Sequence, residues 1–284
     1  LPDRAPLRWP NGERLAFWIT LHLEYWELEP PADAHQDPRF QGEYGSFYPD
    51  YRSFTQREYG NRVGIFRVLE LLDRYELKVT VAANAGAAKR YPQLVDACLK
   101  RGYEFVAHGD YQNRMITSSL TVEAERRVIA ETTAAIDAAT GIRPTGWLSP
   151  DSGESTRTPE LLAEAGYDYL LDWPNDDQPY MMATVPSLVS IPYHLEWDDV
   201  FALWLRKVPN PRYPDIVGEA FRGLHEEGEN TGMVFGLPLH PWVIGQSHRI
   251  KYLEQALAQI TAFDRIWQTT AGEIAKHYRT LARP

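Results

Sequence analysis

Two kinds of apolar run alternate along this 284-residue chain. The first kind is short and nearly continuous. Leu15-Ala-Phe-Trp-Ile-Thr-Leu-His-Leu-Glu24 is apolar almost throughout and ends in polar residues, which suits a strand buried on both faces. Segments 77–83, 103–107, 145–148, 167–171, 188–191, 231–237 and 266–269, with the region around Val200, read the same way. The second kind has helical spacing. Val63, Phe66, Leu69 and Leu72 mark a helix over 57–74, and further helices are predicted over 91–101, 121–140, 158–165, 214–227, 252–263 and 271–281. Thr121 is placed to cap its helix, with Glu123 and Glu125 in the first turn. Gly102, Gly141 and Gly166 each follow a helix as stop signals. Two stretches have no period: an arm over 1–14, and a long loop over 25–55 rich in Pro, Gly, Asp and aromatic residues. Loops that long in a compact domain are usually functional.

The strand–helix alternation shows no composition break and no repeat. It predicts one α/β domain over 1–284 with a largely parallel sheet. Right-handed crossovers would let seven or eight such units close into a distorted, TIM-like (β/α)7 barrel, with an open doubly wound sheet as the alternative. No Gly-x-Gly-x-x-Gly follows an early strand and no Gly-Lys-Ser or Gly-Lys-Thr occurs, which argues against Rossmann and P-loop readings.

Composition narrows the chemistry. The chain is 44% hydrophobic and 24% charged, with a net charge of −10, and no basic cluster suits it to nucleic acid. One cysteine, Cys98, excludes an internal disulfide framework and a cysteine-based metal site. No apolar run has the length of a membrane span. The first residues lack a signal-peptide pattern, so the expected location is the cytoplasm. Nine tryptophans and sixteen tyrosines are enough to line a pocket for a flat ligand as well as to fill a core.

In an α/β protein, ligands bind at the carboxyl ends of parallel strands. Those ends here collect His22 and Glu24, then His108 before Gly109, then Trp147, Asp172 with Trp173, and His240 with Trp242. His22 and Glu24 alternate along one strand and so face one side. A carboxylate with two histidines suffices for general acid–base hydrolysis, and the same residue types also bind zinc. No His-x-x-x-His or His-Glu-x-x-His spacing supports a metal locally, and neither Ser149 nor Ser152 lies in a Gly-x-Ser-x-Gly elbow. His225 and His277 read as solvated helix residues and His35 as a surface loop residue. His248 reads as a turn residue, and His194 is undecided.

The order of these motifs resembles the polysaccharide deacetylase superfamily, the NodB-like carbohydrate esterases, and within it the metal-independent allantoinase and cyclic-amide hydrolase branch. The resemblance is carried by Ser53-Phe-Thr-Gln-Arg-Glu-Tyr-Gly-Asn-Arg-Val-Gly-Ile-Phe-Arg67, the stretch from Tyr91-Pro to His108-Gly, and Arg143-Pro-Thr-Gly-Trp147. Tyr167 to Tyr180, Leu239-His-Pro-Trp-Val-Ile-Gly-Gln-Ser-His-Arg249 and the closing Trp267 to His277 complete it. It implies a distorted barrel of about seven strands and assembly into dimers or tetramers. The family's Thr-Phe-Asp-Asp is here His22-Leu-Glu-Tyr25, and its His-Ser-x-x-His is His108-Gly-Asp-Tyr-Gln112. Two zinc ligands are thus replaced, by Tyr25 and Gln112, and no cofactor is expected.

The implied function is hydrolysis of a C–N bond in a cyclic amide or imide. Glu24 would activate water, His240 would protonate the leaving nitrogen, and His108 would orient the substrate carbonyl or stabilise its oxyanion. His22, Tyr25, Gln112, Trp147, Asp172, Trp173 and Trp242 would contact a small flat ring. Trp147, Trp173 and Trp242 would sandwich it, and Asp172 would accept from a ring N–H or hold a histidine tautomer. A sugar deacetylase with ligands from His22 or His35, and a non-catalytic binding barrel, are the alternatives.

Overall fold

The computed structural model describes residues 4–35, 37–40 and 47–282. All nine side chains of β1 (Leu15–Leu23) are buried, which forces this strand into the middle of the sheet. It pairs in parallel with β8 (Met233–Leu239) along one side. Along the other it pairs with β9 (Ile266–Gln268) and then β2 (Thr80–Ala83). The sheet continues in parallel through β3 (Glu104–Ala107), β4 (Gly146–Trp147), β5 (Tyr169–Leu170) and β7 (Val189–Ser190). Antiparallel β6 (Tyr180–Met181) ends it. The result is a curled half-barrel. Among the described residues no helix is long and apolar enough to cross a membrane.

Apart from an unexpected short helix over Ala85–Arg90, the helical positions follow the sequence reading with three differences. First, the 25–55 loop ends early. The Asp50 carboxylate accepts from the Ser53 amide and starts α1 (Tyr51–Tyr59), whose only buried side chain, Arg57, gives no apolar stripe to read. Loop residues 36 and 41–46 lie outside the described residues. Second, α1 runs through a π-helical turn, Gly60–Gly64, into α2 (Ile65–Arg74). That turn rotates the chain against a 3.6-residue period. Val63 and Phe66 therefore lie outside, 37% and 52% exposed, while Ile65, Val68, Leu69, Leu71 and Leu72 are buried. Third, the region around Val200 is a π-helical turn over Val200–Leu205 and not a strand. The Asp198 carboxylate, accepting from the amides of Val200 and Phe201, turns the chain there.

The helices α3 (Ala85–Arg90) and α4 (Pro92–Leu99) follow β2, and buried Cys98 is packed in the core. Next come α5 (Val122–Thr140) and α6 (Thr158–Glu164), then α7 (Tyr213–Glu227), α8 (Ile250–Ile260) and α9 (Ala271–Leu281). Thr121 caps α5 through the Ala124 amide, and Gly141 closes it in the left-handed region. His225 is buried on α7 and bonds the Asp264 carbonyl. His277 on α9 bonds the Arg8 carbonyl and packs beside Trp9 and Trp267, so neither is merely solvated.

The π turn brings two glycines against the loop that follows β8. A Cβ on Gly64 would lie 2.1 Å from the Pro241 carbonyl oxygen, and one on Gly60 would lie 2.7 Å from the Trp242 nitrogen. Gly64→Ala should therefore overpack this contact and cost about 1–3 kcal/mol. A lower urea midpoint is the expected result, and an unchanged midpoint contradicts the close approach.

Candidate active site

Strand parity assembles the site. β1 sends His22 and Glu24 to one side. β3 runs into His108, and Gly109 turns the chain at φ +68° against Pro150. β8 delivers His240. The segment after β7 adds Tyr193, Asp198 and Asp199. The side chains of His22, Glu24, His108, Tyr193, Asp198 and His240 line a cavity of about 180 Å³, with Gln112, Trp26, Phe201 and Trp242 around them.

Glu24 Oε1 is the centre of this arrangement. His22 Nδ1 lies 3.0 Å from it, His108 Nε2 3.5 Å and His240 Nε2 3.6 Å. The other oxygen accepts from Trp26 Nε1 at 3.3 Å, and Asn61 Nδ2 donates to the Glu24 backbone carbonyl at 2.7 Å. The rings of His22 and His240 stack with centroids 3.8 Å apart. His108 Nδ1 is 2.7 Å from the Leu148 carbonyl oxygen, which can only accept, so Nδ1 carries the proton. His240 Nδ1 donates to Asp199 Oδ1 at 2.7 Å. Asp199 also accepts from the backbone amides of His240 and Ile244, so it is a fixed partner for the ring.

These contacts set the charges. Burial alone would raise Glu24, but the imidazoles of His108 and His22 and the charge on His240 outweigh it and hold the carboxyl well below its usual range. Burial would likewise lower His240, yet Asp198 and Asp199 raise it to about 10. Burial, and then the neighbouring His240 charge, push His22 down to about 3. The resting site is therefore a carboxylate on Glu24, an imidazolium on His240 and a neutral His22. Burial raises Asp198 to about 6.

The residues at the positions of the wider family's metal ligands do not supply the usual donors. Gln112 presents an amide to the cavity. Tyr25 packs its ring among Phe54, Tyr91 and Tyr111, outside the cavity. His22 Nδ1, Glu24 Oε1 and His108 Nε2 do lie within 4.8 Å of one another. His240 Nε2 lies 3.6 Å from the same Glu24 oxygen.

The cavity gathers Glu24, His22, His108, His240, Gln112 and Trp242 from the sequence reading and leaves out four residues. Trp147 is fully buried in the core and donates from Nε1 to Ser149 Oγ, because strand alternation turns its neighbour Leu148 inward instead. Asp172 lies behind Ser149, accepting from its amide. Burial and Glu154 raise its pKa well above the ordinary range. Trp173 donates to Glu154 away from the cavity, and Tyr25 packs as described. His108 Nδ1 donates to the Leu148 carbonyl and Nε2 faces Glu24 Oε1 at 3.5 Å, so the ring is turned toward the carboxylate. His194 stacks on Trp197, while exposed His35 lines an outer pocket that shares Trp26, Gln112 and Asp151 with the site, and His248 is exposed.

The sequence reading missed Trp26, Tyr193, Asp198, Asp199 and Phe201. The adjacent acids Asp198-Asp199 before an apolar run were the available signal. The strand expected around Val200 hid them.

Residues 58–170 match the family model described as polysaccharide deacetylase. A Schizosaccharomyces pombe protein named for the polysaccharide deacetylases is 26% identical over 94% of this chain and 91% of its own length. A Helicobacter pylori peptidoglycan deacetylase is 29% identical over 56% of this chain and 53% of its own. The crystal structure of PuuE allantoinase superposes with a TM-score of 0.88 at 24% identity, covering 99% of this chain and 95% of that one. A Pseudomonas aeruginosa structure titled as a polysaccharide deacetylase gives 0.87 at 25% identity, covering 99% and 96%. The architecture is the distorted NodB-like barrel.

Two tryptophans separate pocket from core. Trp242→Ala should raise KM through lost ring contact. Trp147→Phe should lower the melting temperature and leave KM unchanged. A KM effect from Trp147→Phe contradicts the assignment.

Proposed function

We propose that this protein is a metal-independent hydrolase of a C–N bond in a cyclic amide or imide. The observation that carries the reading is the carboxylate–imidazolium pair of Glu24 and His240 across a small cavity walled by aromatic rings. The two groups have opposite protonation states at neutral pH, which is what a base and an acid in one turnover require.

Glu24 takes a proton from a water held between it and His108 Nε2. The hydroxide formed attacks the ring carbonyl carbon. Developing charge on the carbonyl oxygen is met by the Gln112 side-chain amide, one of several donors on the cavity wall along with Arg39 and Ser152. His240 gives its Nε2 proton to the leaving nitrogen, while Asp199 keeps the ring oriented. Trp26, Phe201 and Trp242 bound the ring and exclude water. A strained or activated ring amide needs less electrophilic help than an acetamide, which makes hydrolysis without a metal feasible.

The relatives' names supply the second reading, removal of an acetyl group from an amino sugar. A substrate screen separates the two. Hydantoins, imides and allantoin are incubated alongside acetylated sugars, with and without chelator. Turnover of a ring unaffected by chelation is the expected result. Deacetylation lost together with stoichiometric zinc overturns the proposal. On the accepted ring, Glu24→Gln should lower kcat by about 10²- to 10⁴-fold with the fold intact. Unchanged turnover removes Glu24 from the mechanism.

A further inference from the structure

Tyr193 sits where one hydrogen must choose between two acceptors. Its hydroxyl oxygen is 2.8 Å from His22 Nε2 and 3.2 Å from Asp198 Oδ2. If the hydroxyl donates to an ionised Asp198, His22 Nε2 must be the N–H that donates to Tyr193. The lone pair on Nδ1 then faces Glu24 Oε1 at 3.0 Å. If Tyr193 instead donates to His22 Nε2, Nδ1 carries the proton toward Glu24, and Asp198 must be protonated to donate to the tyrosine oxygen. With a proton on Glu24 in the first pattern, the two differ by one concerted shift of protons along a single chain. All four residues are buried: Glu24 is 6% exposed, His22 4%, Tyr193 4% and Asp198 2%.

We propose that His22, Tyr193 and Asp198 form a proton relay that restores Glu24 to a carboxylate during turnover. The inference rests on Glu24 being the base. After Glu24 has taken the water proton, its O–H bond breaks and an Nδ1–H bond forms on His22. The Nε2 proton of His22 moves to the Tyr193 oxygen, and the hydroxyl proton of Tyr193 moves to Asp198 Oδ2. Neither His22 nor Tyr193 changes net charge, and the sum is one proton carried from Glu24 to Asp198. When the chain runs back, Glu24 regains the proton and passes it to His240 Nε2, 3.6 Å away, which has by then given its own to the leaving nitrogen. The water proton thus replaces the acid's proton without passing through bulk solvent.

Two properties of the groups suit this role. Burial raises Asp198 to about 6, so its protonated form is accessible near neutrality. Burial holds His22 neutral, so it passes a proton on and does not retain one. Tyr193 and Asp198 are positioning and relay residues. Neither needs to touch the substrate.

The test is a proton inventory, kcat measured in mixtures of H2O and D2O, with hydantoin as probe or else the ring accepted in the substrate screen. The wild type should give a curved inventory, because several protons move together. Tyr193→Phe keeps the ring and removes the hydroxyl. It should give a linear inventory, with kcat reduced by about 10- to 100-fold and KM unchanged. Where the phenylalanine variant does not fold, the wild-type inventory and the imidazole ¹⁵N spectra carry the test. Imidazole ¹⁵N spectra of the resting protein should show His22 neutral. A linear wild-type inventory, a cationic His22, or Tyr193→Phe with wild-type kcat overturns the relay. If Glu24→Gln is fully active or no ring is turned over, the parent reading has failed as well. A linear inventory with Glu24 essential overturns the relay alone.

Discussion

A single carboxylate oxygen, Glu24 Oε1, faces nitrogen atoms of three buried imidazoles within 3.6 Å. Burying a carboxylate is costly unless opposite charge and hydrogen bonds accompany it. Here the compensation comes from the imidazoles of His108 and His22 and from the charge on His240, itself kept cationic by two aspartates. Remove that cation and Glu24 loses one of the contributions that keep it ionised. The pair is therefore both the structural condition of the cavity and its reactive element.

The rest of the fold places these groups. Alternation along β1 sends His22 and Glu24 inward together and turns Tyr25 out into a ring cluster with Tyr91 and Tyr111. Gly109 turns the chain tightly against Pro150 at the end of β3, which leaves His108 facing Glu24. The glycines of the π turn admit the backbone of Pro241 and Trp242, fixing the loop that carries His240. Asp198 and Asp199, adjacent in sequence, serve different partners. Asp199 holds the His240 ring, and Asp198 reaches Tyr193 and the amides that start the next turn.

Much of this was legible in the sequence because period and parity are local properties. The buried β1 run, the Thr121 cap, the closing Gly141 and the common facing of His22 and Glu24 all follow from residue spacing. What was not legible depends on three-dimensional packing. Trp147 was assigned to the pocket from its place at a strand end, but in so short a strand Leu148 takes the inward position. Val63 and Phe66 look like core until the π turn shifts the register. Tyr193 and Asp199 become meaningful only when the segment after β7 folds across the mouth. The direction of His108 also depends on a backbone carbonyl forty residues away, which no motif encodes.

The most direct test of the central pair is the pH dependence of kcat/KM. Glu24 is held well below its ordinary value of 4.5, so its own acid limb should lie below that value, beneath any partial step near 6 from the relay carboxylate Asp198. His240 is raised to about 10, so the acid should stay loaded through neutrality and the basic limb should fall near that pH. A plateau spanning neutral pH with a basic limb near 10 is the predicted result. A basic limb near 6.5, the ordinary value for an imidazole, would show that His240 is not held as a cation against Glu24 and would contradict the account.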